Sequence, residues 1–279
     1  MFRKSLGICI CSTLAVSLTM AANLPQSQPK LMASEIVEKN VEARGGLKAW
    51  RAVQSISMQG KLGAGGNMPA TTPPPVAGGR HGQMTLPPTR PTEEAQLPFL
   101  MEMKRSHKSR IELQFKGQTA IQVFDGTHGW KVRPFLNRKE VEPFTAEELD
   151  AASRQAELDG PLVDYEAKGS KVELAGMEKV GDRDTYKLAL TTHDGKVQHI
   201  WLDAQTFLEV KVEGNPRRLD GKMHTVEIYY DEYRPATGGV VLPYRFETRV
   251  DGVKQTEAIQ IESVMVNPKL DDSLFTKPN

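Results

Sequence analysis

The chain has 279 residues, of which 36 are basic and 35 acidic, and its formal net charge is +1. This balance provides no basic face for nucleic acid, so DNA and RNA are excluded as predicted partners. A single domain of this length can bury about 70–75% of the surface that its unfolded chain exposes.

The first 22 residues have the features of a secretory signal peptide. Arg3 and Lys4 precede an apolar run that ends in small residues. The run is shorter than the ~20 residues of a membrane-spanning helix, which favours a signal peptide over the alternative, an N-terminal membrane anchor. Both cysteines, Cys9 and Cys11, lie in this run. We therefore expect an exported mature chain without disulfides, in which residues 23–279 form a single domain.

Two helical segments and a flexible insertion are predicted next. Ser34 is suited to cap a helix that Gly45-Gly46 ends, and a further turn or two covers Leu47 to Val53. Residues 63–94 are rich in proline and glycine, which favours a long flexible insertion between two strands.

Alternating apolar residues predict strands before a central helical segment. These strands include Ile56–Leu62, Leu97–Met103, Ile111–Phe115, Ile121–Val123 and Trp130–Val132.

The central segment begins where Thr145 and Glu148 can form a capping box. A second short helix is predicted from Leu162 to Ala167. The C-terminal part, Arg183 to Val264, then alternates again and predicts an antiparallel meander.

Two Asp-Gly pairs, Asp194-Gly195 and Asp251-Gly252, supply the positive φ of two-residue hairpin turns in this meander. Two runs of strands separated by helices favour a mainly β (α+β) fold. We expect one strongly curved antiparallel sheet with helices across its concave side.

The sequence shows no catalytic or metal-binding pattern. The six histidines lack the spacing of a zinc site, and no serine lies in a Gly-x-Ser-x-Gly elbow. The adjacent carboxylates Asp231-Glu232 point to opposite faces of a strand. We therefore expect no enzyme, no metal and no cofactor, and infer that the dry face of the sheet is the functional surface.

Six segments form a recognisable pattern: IVEKNVEARGG, LKAWRAVQSISMQGKL, VFDGTHGWKV, IWLDAQTFLEVKVEG, YYDEYRPATGGVVLPYRFE and NPKLDDSLFTKP. Together they resemble the outer-membrane lipoprotein-sorting group of the LolA/LolB superfamily, from about residue 34 to residue 276. The resemblance implies an incomplete barrel of about eleven antiparallel strands, lidded by helices, with an apolar cavity.

The resemblance also implies a periplasmic carrier, expected to be a monomer, which takes lipoprotein acyl chains or another lipid toward the outer membrane. Its implied partners are an inner-membrane release transporter and an outer-membrane acceptor. The alternative is a non-catalytic lipid-sensing or partner-binding regulatory module of the cell envelope with the same fold, which the 63–94 segment favours.

The residues expected to line the cavity are the apolar ones of the predicted strands. They are Phe99, Met101, Met103, Ile111, Leu113, Phe115, Ile121, Val123, Trp130, Leu188, Leu190, Ile228, Tyr230 and Phe246. Carriers of this family close the lid with an arginine of an early strand that an aromatic residue follows. Arg105 or Arg110 could take the place of this arginine, although no aromatic residue occupies the later position.

Overall fold

The computed structural model describes residues 31–65 and 94–278. The predicted signal peptide lies outside these residues, and so does most of the insertion predicted at 63–94. The two ends of that insertion belong to strands, since the first strand runs to Gly65 and the second begins at Glu94. The elements described below belong to one compact unit, Met32–Asn279.

The described residues of this unit form three α-helices and thirteen strands. The helices are α1 (Ala33–Ala43), α2 (Leu47–Ala52) and α3 (Ala146–Gln155). The strands are β1 (Ser55–Gly65), β2 (Glu94–Lys104), β3 (Lys108–Phe115), β4 (Gln118–Phe124), β5 (Gly129–Arg133), β6 (Arg138–Pro143), β7 (Lys171–Val180), β8 (Arg183–Thr191), β9 (Val197–Asp203), β10 (Glu209–Leu219), β11 (Lys222–Pro235), β12 (Val241–Val250) and β13 (Glu257–Val266).

All thirteen strands form one antiparallel sheet, which confirms the predicted fold class. Their order is β6-β5-β4-β3-β2-β1-β13-β12-β11-β10-β9-β8-β7. The sheet is open, because β6 and β7 are its two edges and do not pair with each other in the described part of the chain. The expected number of strands, about eleven, was too low, and β6 is among the strands that the sequence did not reveal.

One face of the sheet carries the helices, and we call it the helix-covered face. Cross-strand pairing places Ile56 opposite Met103 and Met58 opposite Met101 on this face. Trp50 of α2 packs against them, fully buried. Val163, from the segment after α3, belongs to the same core cluster and is also fully buried.

Local hydrogen bonds explain where the helices begin. The Glu35 carboxylate accepts a bond of 2.7 Å from the backbone N–H of Met32. Met32 and not the predicted Ser34 is therefore the N-cap, and α1 begins at Ala33. The capping box of α3 is confirmed: the Thr145 hydroxyl accepts from the Glu148 N–H, and the Glu148 carboxylate accepts from the Thr145 N–H.

Two local predictions were wrong. Residues 162–167 form turns and not a helix, since Asp164 has a positive φ of 52°. The Asp194-Gly195 pair lies inside a five-residue connection, because Thr191 pairs with Val197.

The predicted turn at Asp251-Gly252 also opens a longer connection, which ends at Glu257. A two-residue hairpin turn of the meander lies instead at Asp220-Gly221, where Leu219 pairs with Lys222. In the described residues, none of the helices has the length and apolar character to span a bilayer.

The junction between α1 and α2 is fastened to the connection between β11 and β12. The backbone N–H of Val241 donates to the Arg44 carbonyl at 2.9 Å. Gly45, at φ +106°, comes so close to Gly239 that a Cβ would lie 2.0 Å from the Gly239 carbonyl oxygen. This contact positions both helices on the sheet.

We expect Gly45→Ala to lower the thermal unfolding temperature more than Gly46→Ala does. Both positions have positive φ, so either alanine introduces about 1–3 kcal/mol of backbone strain. Only the alanine at position 45 also collides with a backbone carbonyl, since nothing lies within 4 Å of a Cβ at position 46. If circular dichroism gave equal unfolding temperatures for the two variants, the close approach of Gly45 to Gly239 would not contribute to stability.

Candidate functional site

A row of apolar side chains crosses the helix-covered face, and we call it the apolar row. Five residues from five neighbouring strands are directly paired in it, in the order Tyr230, Phe246, Ile259, Leu62 and Leu97. All five are half-buried. Apolar surface that is continuous and incompletely covered is typical of a binding surface.

The geometry of the row follows from the pairing of its strands. The Tyr230 and Phe246 rings meet edge to face with their centroids 5.4 Å apart. Burial raises the pKa of Tyr230, and repulsion from the Glu209 carboxylate raises this pKa further. The Tyr230 hydroxyl is therefore neutral at physiological pH. The row therefore presents no charge of its own.

A second line of apolar residues runs beside the row on β2 and β3. Phe99 pairs with Leu113 and Met101 with Ile111, and all four are half-buried. Opposite Phe99 on β1 lies Gly60, where a Cβ would lie 2.1 Å from the Gln260 carbonyl oxygen.

The structure brings eleven of the fourteen predicted lining residues onto the helix-covered face. Eight are half-buried there: Phe99, Met101, Ile111, Leu113, Phe115, Ile228, Tyr230 and Phe246. The other three, Met103, Leu188 and Leu190, are buried at 5%, 0% and 1% exposure, so packing already covers them. Whether any of these residues lines a cavity stays a prediction.

The remaining three predicted residues lie on the opposite face. Val123 pairs with Trp130, and Ile121 pairs with Val132. Their register partners on β3 are Arg110 and Glu112, which alternate with the residues of the helix-covered face. These three side chains therefore point away from the apolar row.

A cleft of about 480 Å³ opens on that opposite face. Trp130 lines it together with the end of the chain, and the buried side chain of Phe275 closes its floor. Its carboxylates are engaged within the protein: Asp125 accepts from two backbone N–H groups, and Asp272 binds Lys108 at 3.0 Å.

A polar clasp fastens the helices to the sheet, and its members are Arg105, Asp159 and Lys168. Arg105, in the turn between β2 and β3, donates to the carbonyl oxygens of Trp50 and Val53 at 2.7 and 2.8 Å. These carbonyls end α2, where a cation is favourable. Arg105 also binds the Asp159 carboxylate at 2.6 Å.

Asp159 connects the clasp to the segment after α3. It is 3% exposed and also binds Lys168 at 3.0 Å. Burial by itself would raise the pKa of this carboxyl group, but the hydrogen bond from Arg105 and the charge of Lys168 outweigh burial and lower its pKa. Asp159 is therefore ionised at neutral pH.

A buried ion pair continues the network to the sheet. Arg44, at the end of α1, donates to the Asp159 backbone carbonyl at 3.1 Å and binds Glu209 of β10 at 3.3 Å. The Tyr233 hydroxyl donates to the other Glu209 oxygen at 3.0 Å. The ends of α1 and α2 and the segment after α3 are thus joined by one set of charged hydrogen bonds.

The two predicted arginines have different surroundings. Arg105 contacts α2, as a lid-closing residue would. Arg110 lies on the opposite face, where it binds Glu112 at 2.6 Å and the Leu274 carbonyl at 3.2 Å. The lid-closing role of either arginine stays a prediction.

Sequence reasoning missed several members of this site. Leu62, Leu97 and Ile259 were visible as alternating apolar residues, and their membership of one row depends on the register between distant strands. Asp159 carried no signal, because nothing in the local sequence marks an acidic residue after a helix as a partner of Arg105. In the described ranges, no group of three or more His, Cys, Asp or Glu side chains is placed to hold a metal ion.

Comparisons with known proteins identify the fold. No protein-family model matches the chain, and no curated protein matches it in sequence. Among solved structures, a LolA superfamily protein from Nitrosomonas europaea superposes with a TM-score of 0.52 and 17% identity, covering 88% of this chain and 98% of that one.

Two further structures match to a similar extent. A putative outer membrane lipoprotein-sorting protein domain from Vibrio parahaemolyticus has a TM-score of 0.52 and 12% identity, covering 88% of this chain and 96% of that one. A DUF1329 family protein from Desulfovibrio piger has a TM-score of 0.55 and 12% identity, with 88% and 97% covered. The predicted resemblance to the LolA superfamily is confirmed for the fold.

We expect Asp159→Asn to lower the free energy of unfolding by about 1.5–3 kcal/mol at pH 7, because it removes a buried carboxylate that accepts charged hydrogen bonds from Arg105 and Lys168. A lowered folded-state pKa stabilises the protein above the unfolded pKa, and this contribution disappears as the pH falls through the folded pKa. The difference between the two proteins should therefore shrink below about pH 4. Urea unfolding at several pH values measures it.

The matched control is Asp272→Asn. Asp272 also binds two lysines, Lys104 and Lys108, but it is exposed, so its loss should have a much smaller effect. A pH-independent difference for Asp159→Asn, or an equal effect of the control, would contradict the ionised clasp.

Proposed function

We propose that the protein binds an acyl chain, either of a lipoprotein or of another lipid, along the apolar row and carries it through the periplasm toward the outer membrane. The observation that carries this proposal is the apolar row, whose five side chains stay half-buried in a sheet that already has a large core. The LolA-like fold supports it, since an apolar face under helices suits a lipid.

The dimensions of the row fit an acyl chain. Neighbouring strands lie ~4.8 Å apart, so five strands span roughly 19 Å. The hydrocarbon core of a bilayer is ~30 Å thick, and a chain that fills one leaflet is therefore about 15 Å long. One extended chain can lie across the whole row.

The energetics explain why a carrier needs such a surface. Each methylene group that leaves water is worth ~0.8 kcal/mol, so a long acyl chain cannot cross an aqueous compartment uncovered. The row would cover one side of the chain, and the helices held by the clasp would cover the other. Loading and release then require the helices to move, a change that a membrane partner can favour by binding the open state.

The clasp suits this movement because it is polar and local. Opening at Arg105 breaks three hydrogen bonds to Trp50, Val53 and Asp159, whose groups water can satisfy afterwards. The predicted regulatory alternative rests on residues 63–94, and no observation on the described residues favours it.

Lipid binding can be tested on protein purified from the periplasm of expressing cells. Native mass spectrometry and solvent extraction should find bound lipid in the unmodified protein. Leu97→Asn places an amide in the apolar row and should reduce the bound lipid several-fold, because an unsatisfied amide in an apolar site costs about 1–3 kcal/mol.

The matched control is Leu100→Asn, a half-buried leucine of the same strand on the opposite face. It should leave the lipid content unchanged. Repeated absence of lipid from the unmodified protein, or equal losses in both variants, would refute binding along the row.

The clasp is tested by the rate of lipid exchange. Arg105→Gln removes charge-assisted bonds worth about 1.5–3 kcal/mol, so transfer of a fluorescent acyl probe should become roughly ten- to a hundred-fold faster. Arg110 lies away from α2, so the Arg110→Gln variant should transfer the probe at the rate of the unmodified protein. Similar rates in all three proteins would exclude Arg105 as the residue that holds the helices closed.

A further inference from the structure

The hairpin of β10 and β11 extends beyond its neighbours in the sheet. Its last pairs are Arg217–His224, Arg218–Met223 and Leu219–Lys222. The pairing of β10 with β9 ends at Val212, and that of β11 with β12 ends at Val226. At ~3.3 Å per residue, the turn lies roughly 13 Å beyond the last pair shared with β12.

A neighbouring connection is attached to this hairpin. The backbone N–H of Asp251 donates to the Thr225 carbonyl at 2.9 Å, and the His224 ring bonds to the Asp251 carbonyl at 2.8 Å. Arg217 binds Glu257 through both carboxylate oxygens, at 2.9 and 3.0 Å. The hairpin end and the connection from β12 to β13 therefore form one linked projection.

Apolar side chains are exposed on this projection. Met223 is 54% exposed, Val253 37% and Leu219 36%. Each is adjacent in sequence to a cation: Arg218 precedes Leu219, Lys222 precedes Met223, and Lys254 follows Val253. Because Leu219 pairs with Lys222 and Met223 with Arg218, these two pairs lie on opposite faces of the hairpin and converge only at its end. We call the six residues around this end the tip surface.

The three cations of the tip surface are free to bind an external anion. Within the described part of the chain, no carboxylate forms an ion pair with Arg218, Lys222 or Lys254. Arg218 donates only to a backbone carbonyl of its own turn, that of Gly221, at 3.3 Å. Asp220 and Asp251 lie in the same two loops as these three cations, and Arg217 is paired with Glu257. The projection therefore has a net charge of one positive unit.

Alternating apolar and cationic side chains suit the boundary between water and a bilayer. Leu, Met and Val can enter the edge of the hydrocarbon, while Lys and Arg extend their stems to reach phosphate groups. Each cation near an anionic surface contributes binding energy. The cores of protein–protein interfaces are enriched in aromatic side chains, and the six residues of the tip surface include none.

We propose that the tip surface docks on a membrane containing anionic phospholipids, with Leu219, Met223 and Val253 in the interfacial layer and the three cations on the phosphates. The site is separate from the apolar row, and the proposal does not depend on lipid carriage. It adds a membrane contact to the protein and names the headgroup chemistry that the contact requires.

Co-sedimentation with vesicles of phosphatidylglycerol and phosphatidylethanolamine tests the proposal, using the protein purified as the cell processes it. Leu219→Ser combined with Met223→Ser should weaken vesicle binding about ten-fold. Arg218→Gln and Lys222→Gln should each weaken it about five-fold and together remove the preference for anionic over phosphatidylcholine vesicles.

The matched control is Met177→Ser, which removes an equally exposed methionine (56%) from the edge strand β7. It should bind vesicles like the unmodified protein. Unchanged binding of the Leu219/Met223 variant, an equal loss in Met177→Ser, or equal binding to neutral vesicles would overturn the proposal. Binding only to vesicles that carry membrane proteins would overturn it in favour of a protein receptor.

Discussion

A sheet of thirteen strands has two faces, and its apolar residues must be covered by other elements or remain in contact with water. The three α-helices that the structure describes contain 11, 6 and 10 residues, which is little material to cover one face of so large a sheet. They cover the part around Trp50 and Ile56 completely. The apolar row stays half-buried, although Phe246 and Ile259 pack against the core cluster that contains Trp50. The functional proposal follows from this incomplete cover.

The helices are attached by charged hydrogen bonds as well as by packing. Trp50 of α2 and Val53 directly after it are buried as core residues, and the end of that helix is held by the guanidinium of Arg105. Asp159 then ties the segment after α3 to the same group. Hydrogen bonds of this kind are directional and can be exchanged for water, whereas a fully apolar contact resists separation. Helices held by such hydrogen bonds can be fixed on the sheet and still be released from it.

The sequence predicts the strands well and their faces poorly. The period of two locates β1 to β5 and the whole meander from Arg183 to Val264. The period does not tell which face of the sheet the apolar residues of each strand occupy, because a shift of one residue in the strand register moves them to the other face. Ile121, Val123 and Trp130 were therefore grouped with Met101 although they point the other way. Among the arginines, only contacts more than fifty residues apart in sequence distinguish Arg105 from Arg110.

The strand that the sequence concealed, β6, has a consequence for association between copies of the chain. It is an edge of the sheet, and Arg138, Lys139 and Glu140 are exposed along it. The other edge, β7, exposes Lys171 and Lys179. Charges at an unpaired edge oppose the addition of a further strand. The same residues that make β6 look unlike a strand thus keep an open thirteen-stranded sheet from growing into a polymer.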